Sequence, residues 1–168
     1  SVMNKDLSQS TCEGNCPAEY VTWHEAAAFT NQLSTLDDLE QCYECTYAIE
    51  GDQGTVSECE LSEDFETPYQ CKGYRLPTEA EWELAARAGT QRSIWTPDGG
   101  SSVPNYNCAT SNITLSDGAG GLLEDYAWFC SNAEGTTHPV GEKIPNGYGL
   151  YDMSGNVQEW VQDTTYGS

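Results

Sequence analysis

Apolar and small residues recur at helical spacing in residues 23–34, which makes this segment the clearest regular element of the chain. Just before it, Thr22 and Glu25 form a Thr-X-X-Glu capping box, in which a hydroxyl and a carboxylate accept hydrogen bonds from backbone amides at a helix start. The pattern therefore predicts a helix over residues 23–34, with Trp23 and Phe29 in the core.

A second helix is predicted after Pro77, because Thr78 and Glu81 repeat the capping-box spacing. Gly89 marks its end, since glycine readily adopts the left-handed conformation that closes a helix. The apolar stripe between these signals is narrow and consists of Trp82, Ala85 and Ala86. Small side chains in the stripe are expected to let this helix pack closely against a sheet.

The remaining chain has few regular patterns. Residues 35–70 are interpreted as a solvated, acidic, cysteine-rich insertion, with a hairpin at Tyr47–Val56; a cation-binding surface is the alternative. Residues 97–121 are dominated by glycine, serine, asparagine, proline and threonine, which predicts a long irregular coil. Tyr126–Phe129 and Val157–Val161 are the best candidates for further strands.

Composition limits the class of protein. The 168 residues suit one domain, so residues 1–168 are expected to form a single domain. Six basic residues against 27 acidic ones give a formal charge of −21, which repels phosphate backbones and excludes nucleic acid as a partner. No apolar run approaches the roughly 18 residues of a membrane span. The first residues do not resemble a signal peptide, so we expect either a cytosolic protein or one whose leader has been removed.

The eight cysteines favour disulfides and an oxidising compartment, that is, an extracellular, periplasmic or cell-surface location. The alternative is a zinc site, since Cys42 and Cys45 have the spacing of a zinc knuckle and Cys59 and Cys71 would complete a four-sulfur set. The wide spacing of the second pair and the acidic surroundings argue for disulfides, which would cross-link the acidic insertion to the segment before Arg75.

Hard oxygen ligands and a flexible turn occur together in residues 149–160. Asp152 and Glu159 supply carboxylates, and Gly155 lets the intervening backbone turn so that its carbonyls can face one ion. This pattern predicts a calcium site. The alternative is a turn leading into a strand, with Trp160 in the core and both acids solvated.

Four sequence blocks, in the same order, resemble the family of formylglycine-generating enzymes and sulfatase-modifying factors. They are VTWHEAAAFTNQLS at 21–34, GYRLPTEAEWELAARAG at 73–89, THPVG at 137–141 and PNGYGLYDMSGNVQEW at 145–160. The resemblance implies a loop-rich, disulfide-bonded α+β domain, with two helices on a small antiparallel sheet, in a variant of the C-type lectin fold. It covers the central part of the family's domain, so we expect the family's first and last strands to be missing from this chain.

The resemblance also implies a set of calcium ligands. Asp152 and Glu159 would bind through their side chains, and Gly155 and Val157 through their carbonyls. An asparagine can occur in the family where Asp152 stands here, so the added charge is expected to tighten binding. Asn132 is the one ligand that the resemblance suggests for a second calcium site.

The same resemblance places the family's two copper-binding catalytic cysteines beyond the end of this chain. No catalytic residue is therefore assigned, and copper is expected only if a further C-terminal part is supplied. Neither His24 nor His138 is tied by a motif to a nucleophile, so a hydrolase triad is not supported.

These observations favour a non-catalytic, exported binding or structural module stabilised by calcium. Its partners would be a protein or glycan ligand, or further copies or segments that complete the sheet. Two alternatives are open: a fragment of a copper-dependent oxidase that converts a sulfatase cysteine to formylglycine, and a subunit of a surface or filamentous assembly.

Overall fold

A computed structural model describes residues 12, 15–48, 56–102, 115 and 121–163. The regular elements in this part of the chain are α1 (Trp23–Leu36), β1 (Tyr43–Tyr47), β2 (Val56–Leu61), a 3-10 turn (Pro68–Gln70), α2 (Glu79–Arg87) and α3 (Leu123–Tyr126). The chain divides into two compact units. The first contains the described residues of 20–79 and 160–163, and the second contains those of 12–19 and 80–159.

Helix α1 begins at the capping box that the sequence predicts. The Glu25 amide donates to the Thr22 hydroxyl at 3.2 Å, and the Thr22 amide donates to the Glu25 carboxylate at 2.9 Å. Ala27 and Ala28 are fully buried on the inner face of the helix, and Trp23 packs beside them. The assignment of Phe29 to the core is wrong: its side chain is 38% exposed, because it lies about 200° around the helix from Ala27.

Strands β1 and β2 form a two-stranded antiparallel sheet in which Cys45 lies opposite Cys59. The paired strands extend beyond the predicted Tyr47–Val56, to Tyr43 and Leu61, and residues 49–55 lie outside the described residues. Ser62 and the residues after it continue into the turn that leads to the 3-10 helix.

Disulfides, rather than zinc, cross-link this region. The bridges are Cys42–Cys71, Cys45–Cys59 and, in the second unit, Cys12–Cys16. Cys130 is also disulfide-bonded, and Cys108 lies outside the described residues. The prediction of a cross-linked insertion is confirmed.

The core of the first unit forms around Tyr43. Its backbone is held by Asn31, whose side chain donates to Tyr43 O at 2.7 Å and accepts from Tyr43 N at 3.1 Å. Its hydroxyl accepts a hydrogen bond from Leu76 N at 3.0 Å and bonds to Oε1 of Gln162. Burial raises the pKa of the Tyr43 phenol above its ordinary value. The ring of Trp23 meets the ring of Tyr43 edge-to-face, with centroids 5.6 Å apart.

The second unit is mainly irregular. Helix α2 ends at Arg87, and the chain then turns through Ala88 and Gly89, which both have positive φ angles. Both strand predictions here are wrong: Tyr126 ends the short helix α3, and no strand is assigned to 127–129 or 157–161. Isolated hydrogen bonds take the place of a ladder, as where Trp128 N donates to Ser154 O at 3.1 Å.

Among the described residues, no helix is both long enough and apolar enough to cross a membrane.

Candidate metal centre

Asp152 has one satisfied and one unsatisfied carboxylate oxygen. Its Oδ2 accepts a hydrogen bond from Gly141 N at 2.7 Å, whereas its Oδ1 is buried and has no hydrogen-bond partner. A buried carboxylate oxygen without a partner is costly unless a donor or a cation satisfies it. The backbone of Asp152 is left-handed, with φ at +56°. A bound cation at this oxygen would remove the cost.

Gly155 makes the turn that the sequence predicts, and no other residue type fits its place. Its φ is +103°, and a Cβ atom built there would lie 1.8 Å from the carbonyl oxygen of Trp128. The next residue, Asn156, also has a left-handed backbone, with φ at +66°. Positive φ angles at Asp152, Gly155 and Asn156 curl this segment tightly.

Two of the other predicted ligands, Glu159 and Gly155, already accept hydrogen bonds from protein groups. Glu159 is exposed, and its Oε2 accepts a hydrogen bond from the indole nitrogen of Trp82 at 2.7 Å. The Gly155 carbonyl accepts a hydrogen bond from Val157 N at 3.0 Å. Trp160 is 45% exposed, and its indole donates to Val21 O at 2.7 Å, so the alternative that places Trp160 in the core is wrong.

The donor set suits a hard cation. No group of three or more histidine, cysteine, aspartate or glutamate side chains is assembled among the described residues, so an ion here would need backbone carbonyls as well as carboxylates. Calcium accepts such mixed oxygen sets at six to eight positions, some filled by water. The unsatisfied Oδ1 of Asp152 fits this requirement.

Asn132, the residue suggested for a second calcium site, is engaged in its own turn. Its Oδ1 accepts from Phe129 N at 2.7 Å, and its Nδ2 donates to Ala127 O at 3.0 Å. The second site therefore stays a prediction.

A stack of three side chains lies against this segment, and sequence reasoning missed it. The rings of Trp128 and His138 are parallel, with centroids 3.7 Å apart and an angle of 5° between the planes. The Lys143 ammonium lies 3.6 Å from the centroid of the Trp128 ring and donates to Glu124 O at 2.7 Å. His138 belongs to the THPVG block, but nothing in that block identifies its aromatic partner.

Asn146 fixes the turn that precedes the candidate site. Its Nδ2 donates to Ala85 O in α2 at 2.7 Å, and its Oδ1 accepts from the amides of Tyr148 and Leu150. A small cavity lies beside this turn and is lined by Trp95, Tyr126, Asn146, Leu150, Asp152 and Met153 among others. The turn and α2 together hold the segment from which Asp152 extends.

Comparison with known proteins decides the family. The family model described as "Sulfatase-modifying factor enzyme 1-like domain" matches residues 2–167. The chain belongs to this family. The resemblance carried by the four sequence blocks, and the α+β fold class that it implies, are therefore confirmed.

The relatives of this chain have different names. The chain is 32% identical over 145 residues to a "Chaperone protein LppX" of Paenibacillus barcinonensis, covering 86% of this chain and 50% of the relative. It is 38% identical over 99 residues to a formylglycine-generating enzyme of Thermomonospora curvata, covering 54% of this chain and 27% of that enzyme. It is 40% identical over 95 residues to the "Inactive C-alpha-formylglycine-generating enzyme 2" of Mus musculus, covering 55% and 27%.

Among solved structures, "Treponema denticola variable protein 1" is similar, with a TM-score of 0.62 and 33% identity, covering 95% of this chain and 56% of that one. The chain thus spans about half the length, or less, of these relatives.

Proposed function

We propose that this chain is an exported, non-catalytic binding or structural module whose scaffold is stabilised by calcium. The observation that carries the calcium part is the buried, unpartnered Oδ1 of Asp152 in a segment curled by Gly155. The residues that would hold the ion are Asp152, Gly155, Val157 and Glu159. Calcium bound there would neutralise two carboxylates and lock the left-handed turn.

Every described cysteine is in a disulfide. The same bridges support export, because disulfides persist in oxidising compartments. The relatives include a chaperone, an enzyme and an inactive enzyme, which is consistent with a scaffold that serves several functions.

Exposed aromatic side chains support a binding role. In the second unit, Tyr148 is 58% and Tyr151 is 50% exposed; Tyr148 lies within the turn that Asn146 holds in place, and Tyr151 follows it. Rigidly presented tyrosines are common in ligand-contacting surfaces because they lose little entropy on binding. The proposed ligand is a protein or a glycan, or another copy of this chain.

The second candidate is part of a copper-dependent formylglycine-generating oxidase. The 38% identity to the Thermomonospora curvata enzyme favours it. An assay of the purified chain with copper and a cysteine-containing sulfatase peptide tests whether this chain alone oxidises cysteine. Because the second candidate expects its copper-binding cysteines in a further part of the protein, only a positive result distinguishes the two candidates. The proposal predicts that the peptide mass stays unchanged, and copper-dependent conversion to the aldehyde would refute it.

Thermal unfolding tests the calcium part separately. We expect the melting temperature to fall when calcium is removed with a chelator, and we expect Glu159→Ala to lose most of this calcium-dependent shift. Equal melting temperatures with and without the chelator would refute calcium stabilisation. An untouched shift in Glu159→Ala would refute the site.

A further inference from the structure

The candidate calcium segment, residues 152–159, is held in a left-handed backbone conformation by contacts that lie outside it. Asp152 and Asn156 both have positive φ angles, a region that costs free energy for most L residues and that aspartate and asparagine tolerate better than the others. Such a segment binds an ion tightly only if its conformation is set in advance, because otherwise binding must also order the loop.

Two neighbouring segments supply the contacts: the first contains Trp128, and the second is residues 138–141. From the first, Trp128 N donates to Ser154 O at 3.1 Å, and the Trp128 carbonyl lies against Gly155. From the second, His138 N donates to Oδ1 of Asn156 at 3.0 Å, and Nδ2 of Asn156 donates to His138 O at 3.1 Å. The amide of Gly141, three residues after His138, holds Oδ2 of Asp152.

The stack of Trp128 on His138 joins these two segments to each other. The Trp128 indole nitrogen is buried without a hydrogen-bond partner. The ring is therefore held by contacts to its faces: the His138 ring stacks on it, and the Lys143 ammonium lies against it. The imidazole is fixed in turn by a 3.0 Å hydrogen bond from Nε2 to Ala133 O, which requires the proton on Nε2 because a carbonyl only accepts.

We propose that Trp128, His138 and Asn156 are positioning residues that pre-organise the calcium segment, so that its affinity depends on the ring stack although none of the three is a proposed ligand. This inference rests on the proposed calcium site. Outer-shell groups of this kind change metal affinity by about 10- to 100-fold when they are removed.

The test compares calcium dissociation constants, measured by isothermal titration, with melting temperatures measured in chelator. His138→Ala removes the stack, whereas His138→Phe keeps a ring and loses only the bond to Ala133. Asn156→Gly keeps the backbone freedom of the turn and removes both amide contacts to His138. His24→Ala is the matched control, because the His24 ring accepts from Cys59 N at 2.9 Å in the first unit and has no described contact with the calcium segment.

We expect His138→Ala and Asn156→Gly to weaken calcium binding about tenfold, and His138→Phe to bind near the wild-type level. His24→Ala should lower the melting temperature and leave the dissociation constant unchanged. If His138→Ala fails to fold, Asn156→Gly decides the question.

Wild-type affinity in both His138→Ala and Asn156→Gly would overturn the inference while leaving the calcium site intact. A wild-type protein that binds no calcium would overturn the site itself, and this inference with it.

Discussion

Replacing Gly155 with alanine should destabilise the second unit far more than the same change at Gly99. Both glycines have φ at +103°, so both substitutions carry the same cost of placing an L residue in that region, about 1 to 2 kcal/mol. At Gly99 nothing lies within 4 Å of the added Cβ atom. At Gly155 the Cβ would lie 1.8 Å from the Trp128 carbonyl oxygen, and backbone on both sides cannot rotate away.

The clash must be relieved by moving Trp128 away from Gly155 by roughly 1 Å or more, since Cβ contacts under 3.0 Å do not occur. Such a shift breaks the hydrogen bond from Trp128 N to Ser154 O, worth about 1 kcal/mol. It also disturbs the stack on His138, worth about 1 kcal/mol. The expected loss for Gly155→Ala is therefore about 3 to 4 kcal/mol, against about 1 to 2 kcal/mol for Gly99→Ala.

Urea unfolding of the two variants, followed by tryptophan fluorescence in a non-reducing buffer, measures this difference. Because both glycines lie in the same unit, the same transition reports on both. Equal losses of unfolding free energy in the two variants would show that the close approach of Gly155 to Trp128 does not exist.

Three further predictions concern the first unit. Thr22→Ala removes the hydroxyl that caps α1 and should lower the unfolding free energy by about 1 kcal/mol in urea; an unchanged value would refute the cap. Because the folded pKa of Tyr43 is raised, the folded state keeps a proton that the unfolded state loses above about pH 10, so stability falls as pH rises through that range. As pH rises, Tyr43→Phe should lose less unfolding free energy than the wild type, but at neutral pH it should be less stable by about 1 to 3 kcal/mol, because Leu76 N loses its acceptor. The same dependence of stability on pH in both proteins would contradict this. Peptide mapping without reduction should recover Cys42 joined to Cys71, and replacing both with alanine should cost about 3 kcal/mol; free thiols or bound zinc would contradict the bridge.

Local signals in the sequence predicted local structure well. The Thr22 capping box is predictable because all its atoms lie within four residues, and the turn at Gly155 is predictable because glycine permits backbone conformations that other residues avoid. Disulfides were favoured over zinc on cysteine number and compartment, and the observed bridges agree.

Features that depend on distant contacts were missed or assigned wrongly. Phe29 fits a helical repeat, but only packing against Tyr43 and Cys59 determines which face of α1 is buried. Aromatic residues in 126–129 suggested a strand, although Trp128 instead stacks on His138, ten residues later. No periodicity links a tryptophan to a histidine across an irregular loop, so the groups that support the candidate site could be found only in the structure.

The most direct test of calcium stabilisation is an isothermal titration of calcium into the chelator-stripped protein. We expect one ion per chain at the segment of Asp152 and Glu159, weaker binding in Asp152→Asn, which removes one negative charge, and no binding at this site in Glu159→Ala. Glu142→Ala is the control, because Glu142 is an exposed acid of the same unit that is not a proposed ligand. The account predicts unchanged affinity in that control. An absence of binding in the wild-type protein, or equal binding in Glu159→Ala and Glu142→Ala, would contradict it.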